Sequence, residues 1–204
     1  MPRLLSILLH PLIMPALTLW AALRIDPHLA YFIAPGDRWK VLAMVGLMTI
    51  GFPLASALLL MRAGLLSSLE MPRRHERIAP YAMTLMYYGM TAYLLARTPL
   101  HPMVQALFVG AALALLATTL ITLRWKISAH MVGIGGLLGA LVALNAAHGL
   151  GAFMAICAAI IAAGALGTAR LLSSDHTPAQ VHAGAALGFC AVFAAATWAP
   201  ALLS

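Results

Sequence analysis

Between Met131 and Ala169 the chain runs 39 residues without an Asp, Glu, Lys or Arg. As a single helix this stretch would reach roughly 58 Å, about twice the hydrocarbon thickness of a bilayer. It therefore has to fold back once. His148-Gly149-Leu150-Gly151 is the place for the reversal, because the two glycines weaken a helix there.

Charge-free runs also cover 4–23, 41–61, 78–96, 102–123 and 176–204, and about 20 mostly apolar residues suffice for one crossing. With 63% hydrophobic residues and a mean hydropathy of +0.97, the composition excludes an ordinary soluble domain. The expected fold is all-α: a polytopic membrane helix bundle of six to seven transmembrane helices, in segments near 4–24, 40–62, 80–97, 101–123, 130–148, 151–169 and 179–203. Pro11 and Pro15 bend the first segment, which is either a seventh span or a re-entrant piece. His10 and the same prolines interrupt the apolar run after Arg3, which argues against a cleaved leader. Without repeats or linkers, residues 1–204 are expected to form a single integral membrane domain, with its motifs in a core over 62–204. Cys157 and Cys190 lie in apolar segments and read as small core residues. The net charge of +7 points to an anionic partner, which in this setting is phospholipid rather than nucleic acid.

Counting crossings brings three polar clusters to one face of the membrane: Arg62 to Pro80, Arg124 to His130, and Arg170 to Gln180. The first supplies Arg73, Arg74, His75, Glu76 and Arg77; the second Arg124, Lys126, Ser128 and His130; the third Arg170, Asp175, His176 and Gln180. Together they offer several fixed cations, paired histidines and few carboxylates. Guanidinium groups match phosphate oxygens in a bidentate fashion, so such a pocket suits phosphate. Two imidazoles add chemistry: one can attack phosphorus while the other protonates the leaving oxygen.

These residues resemble the motifs of the type 2 phosphatidic acid phosphatase superfamily, the membrane lipid phosphate phosphatases that share their active site with vanadium haloperoxidases. The family carries Lys-x6-Arg-Pro, Pro-Ser-Gly-His and Ser-Arg-x5-His-x3-Asp. Arg170-x5-His176 keeps the spacing of the third motif, and Ser128-Ala129-His130 looks like the second with alanine for glycine and Ile127 for proline. The chain departs from the pattern at Ala79 before Pro80, at Ala169 before Arg170, and at Gln180, where the family has aspartate. The resemblance implies that His176 is the nucleophile, forming a phosphohistidine, and that His130 protonates the leaving alcohol. It also implies that Arg170, Lys126, the backbone around Ser128, and Arg77 with Arg73 or Arg74 hold the phosphoryl oxygens. No metal or other cofactor is implied, since fixed cations do that work.

If a helix begins near Thr177-Pro178, His176 and Gln180 share a face, and Gln180 can accept a hydrogen bond that fixes the imidazole tautomer. Asp175 and Glu76 are the candidates to replace the missing carboxylate. His10, His148 and His182 read as bundle histidines satisfied across helices, His10 being the one near enough to the same face to reach a pocket.

The function expected is a lipid phosphatase hydrolysing a phosphomonoester or pyrophosphate. The competing class is a non-catalytic binder of anionic headgroups, and a histidine-ligated haem or quinone protein is the third. Counting all Lys and Arg would put the motif face in the cytoplasm. Setting the motif cations aside leaves Arg3 and Arg62 against Arg24, Arg38, Lys40 and Arg97. The expectation is then an extracytoplasmic site in a bacterial inner membrane.

Overall fold

The computed structural model describes residues 2–173 and 176–203, and every regular element among them is helical. Helix α1 (Pro2–Leu8) leads through a turn into α2 (Met14–Ile25), so the first apolar run is broken in two. Pro15 sits in the first turn of α2, where a missing N–H costs nothing. At 12 residues α2 reaches only about 18 Å. The N-terminal segment is thus the bent form that its prolines require.

After the short α3 (Pro27–Tyr31), α4 (Arg38–Gly46) and α5 (Phe52–Arg62) make one rod, joined by a π-helical turn at Leu47–Gly51. Pro53 explains the wide turn: it cannot donate to the carbonyl of Thr49, and its ring crowds that position. A 3-10 turn at Arg74–Arg77 precedes α6 (Ile78–Ala96), α7 (Pro102–Thr122), α8 (Ala129–His148), α9 (Phe153–Leu172) and α10 (Pro178–Leu203). The long charge-free run folds back where its glycines stand, with Gly149 and Gly151 at φ of +60° and +64°.

Among the described residues five rods are long and apolar enough to cross a membrane: Arg38–Arg62, α7, α8, α9 and the Pro178–Trp198 part of α10. The protein is a helical membrane protein. Helix α6 has comparable length but is diluted by Tyr81, Tyr87, Tyr88 and Tyr93, and with the split α1–α2 it accounts for the difference from the six or seven spans expected.

At one end of the bundle Asp26, fully buried, caps α3 by accepting from the backbone N–H groups of His28 and Leu29. Its other oxygen bonds Nδ1 of His148, whose ring packs against His28 and His101. This pairing ties α2 to the end of α8, and satisfies His148 across helices as anticipated.

The centre of the bundle is the pair α8 and α10. A Cβ on Gly188 would lie 1.9 Å from the carbonyl oxygen of Val132, and one on Gly135 would lie 2.2 Å from that of Ala185. The two backbones therefore touch. Contacts pair Ser128 with Gly184, Val132 with Gly188 and Gly136 with Val192, so the helices run parallel in fixed register. Within hydrocarbon, such close van der Waals approach between small residues is what holds helices together. Gly188→Ala should force them apart, at a cost of about 1–3 kcal/mol or more. Gly89→Ala, where the added carbon meets nothing within 4 Å, should be tolerated. Thermal unfolding of the two variants in detergent checks this, and equal midpoints would contradict the packing.

Candidate active site

The first turn of α10 builds the key pair. Thr177-Pro178-Ala179-Gln180 forms a capping box: the Gln180 N–H donates to Thr177 Oγ1 at 3.4 Å, and Gln180 Oε1 accepts the Thr177 N–H at 3.2 Å. Because a backbone N–H can only donate, the amide oxygen must be the atom turned this way. The same oxygen lies 3.0 Å from His176 Nδ1, which must then carry the proton. His176 therefore precedes the helix instead of sharing its face, because Pro178 opens α10; Gln180 reaches back to it. The outcome is a neutral imidazole with its Nε2 lone pair available.

His130 stands in the first turn of α8, and its Nε2 lies 3.1 Å from the carbonyl of Ser6 in α1. A carbonyl only accepts, so Nε2 is protonated and Nδ1 holds the lone pair. The Ser6 hydroxyl is also bonded by Nη1 of Arg170, at 3.3 Å, from the last turn of α9. Arg77, buried at the start of α6, donates from Nε to the carbonyl of Met71, a non-glycine residue held at φ +46°.

His176, His130, Arg170 and Arg77, which come from three stretches far apart in the sequence, line one polar cavity. The parallel α8 and α10 both begin at this cavity, adding two positive dipole ends to its cations. Among the described residues Glu70 is the one carboxylate on its wall. Burial brings the pKa of His176 down to about 4, opposed by the Gln180 bond and reinforced by the charges of Arg77, Arg170 and Lys126.

A second, apolar cavity adjoins the first. Pro11, Leu12, Tyr81, Thr84 and Ala129 belong to the walls of both. Its threonine hydroxyls are turned away from any ligand, since Thr18, Thr84 and Thr118 each donate to the carbonyl four residues back. What remains for an occupant is mostly methyl, methylene and ring surface, with Tyr81 and Tyr88 also on the wall.

Other expected site residues lie elsewhere. Arg73 and Arg74 are exposed and off the cavity wall, because the 3-10 turn directs only Glu76 and Arg77 inward. Ser128 is fully buried and off the wall, its N–H spent on the Gln180 carbonyl at 3.4 Å; Ala129 and His130 reach the cavity instead. Lys126 is half-buried and acts on His176 through its charge. Glu76 is off the cavity wall and accepts a bond from Ser67 Oγ at 3.1 Å, and Asp175 lies outside the described residues. Ser6 and His10 are additions that α1 and its following turn bring to the site. His10 was detectable by its distance from the face, whereas a main-chain carbonyl such as that of Ser6 leaves no trace in a sequence.

The fold and the cavity define a helical membrane protein with a cationic, imidazole-lined pocket opening onto an apolar slot. No family model, curated protein or solved structure matches the chain.

Histidine NMR in micelles should find His176 titrating near pH 4. In Gln180→Glu a carboxylate accepts the same bonds and stabilises the imidazolium, so the midpoint should rise. A midpoint near the ordinary 6.5, unmoved by Gln180→Glu, would contradict the assigned geometry. The unfolded chain takes up this proton near pH 6.5 and the folded one near 4, so the contribution of His176 to stability falls as pH drops through that window.

Proposed function

We propose that this protein is a lipid phosphatase, hydrolysing a phosphomonoester or pyrophosphate of a membrane lipid through a phosphohistidine. The observation that carries the reading is that His176, His130, Arg170 and Arg77 converge on one cavity. Arg170 and Arg77 hold the phosphoryl oxygens. The Nε2 lone pair of His176 attacks phosphorus and the bond to the lipid oxygen breaks. The Nδ1 lone pair of His130 takes the proton that a phosphate monoanion carries into the cavity and gives it to the departing alcohol, while Ser6 keeps the Nε2 proton in place. Water then attacks phosphorus, giving one proton to His130 Nδ1; the bond from phosphorus to His176 Nε2 breaks, and phosphate leaves, taking that proton with it. The lipid chain lies in the adjoining apolar slot. The resemblance to type 2 phosphatidic acid phosphatases supports this reading, as do the two helix N-termini at the cavity. We place the site on the extracytoplasmic side of a bacterial inner membrane, from the balance of the remaining Lys and Arg.

A second reading, a headgroup binder without turnover, is favoured by one observation: Gln180 is neutral where charge would support the nucleophile. Phosphate release from phosphatidic acid, phosphatidylglycerol phosphate and isoprenyl pyrophosphate, measured with chelator present, separates the two. The phosphatase predicts turnover that falls by about 10³-fold or more in His176→Ala and rises in Gln180→Glu. No turnover in either the native chain or Gln180→Glu would leave the binder.

A further inference from the structure

We propose that His10 is a third imidazole of the site, a hydrogen-bond donor to the bridging oxygen of the leaving group. The inference rests on the phosphatase reading and extends it to a residue outside the three motifs.

Its first support is location. His10 lines the polar cavity, and the next two residues, Pro11 and Leu12, line both cavities. His130 also lines the polar cavity, and its neighbour Ala129 lines both. The rings of His10 and His130 meet edge to face, with centroids 5.4 Å apart. These two imidazoles therefore stand side by side at the neck where the polar cavity gives way to the apolar one. The bond that breaks in hydrolysis, between phosphorus and the lipid oxygen, has to lie at that neck.

The second support is the tautomer. His10 Nδ1 accepts the backbone N–H of Leu12 at 3.3 Å, so the neutral ring carries its proton on Nε2. Nothing among the described residues bonds that nitrogen. The resting site then holds two imidazole lone pairs, on His176 Nε2 and His130 Nδ1, and one imidazole donor, on His10. A neutral imidazole does not give up its proton to an alkoxide and remain neutral, so His10 donates a hydrogen bond while His130 transfers the proton. As negative charge grows on the leaving oxygen, the fixed donor strengthens its bond. The same sequence feature that breaks the first helix, His10-Pro11, thereby supplies a catalytic contact.

Two substitutions separate the donor from the turn. His10→Asn keeps an acceptor for the Leu12 N–H but has no donor at the Nε2 position; His10→Gln places an amide N–H near that position and gives up the turn acceptor. Each full-length variant is assayed on dioctanoyl phosphatidic acid, an alkyl ester, and on p-nitrophenyl phosphate, whose leaving oxygen needs little stabilisation. Expected for His10→Asn is a loss of about 10- to 100-fold in kcat on the alkyl ester with little change on p-nitrophenyl phosphate, and for His10→Gln partial recovery on the ester. Equal losses on both substrates, or none on either, would overturn the assignment of His10 while leaving the phosphatase intact. An inactive native chain would remove both.

Discussion

The contact on which the rest of the molecule depends is the one between the backbones of α8 and α10. Gly188 lies against the carbonyl of Val132 and Gly135 against that of Ala185, too close for any side chain. Because the pair is parallel, the two helices begin at the same end, one delivering His130 and the other His176 with its Gln180 brace. The Ser128 N–H reaching the Gln180 carbonyl fastens those beginnings together. Small residues thus set the spacing of these two histidines as well as the packing of the bundle.

Around that pair three further helices supply groups. Arg77 arrives with α6 and Arg170 with the end of α9, while α1 contributes the Ser6 carbonyl and hydroxyl that hold His130 and Arg170 at once. Each of the three histidines on the cavity wall is oriented by a bond whose direction is fixed by a backbone group or by an amide whose orientation a backbone group sets. That is why the three histidine tautomers can be assigned from geometry alone. Gln180 braces the ring without adding charge, and the capping box holds its amide oxygen toward His176.

Much of this was legible in the sequence. The helix reversal at Gly149 and Gly151, the start of α10 at Pro178 and the gathering of three clusters at one end follow from charge-free lengths, helix-breaking residues and parity. The Gly135-x3-Gly139 and Gly184-x3-Gly188 spacings that mark the central contact were readable as well, but spacing alone does not say which helix faces which. The surface cations Arg73 and Arg74 could not be told from Arg77 by residue type, because only the 3-10 turn decides which side chain points inward. Ser6 was invisible since its main contribution is main-chain.

The most direct test is to catch the covalent intermediate. The detergent-purified protein is mixed briefly with a labelled lipid phosphate, quenched at alkaline pH where phosphohistidine survives, digested and mapped by mass spectrometry. The account predicts phosphate on His176, absent from His176→Asn. Turnover with no phosphate on His176, or with the label on His130, would contradict it.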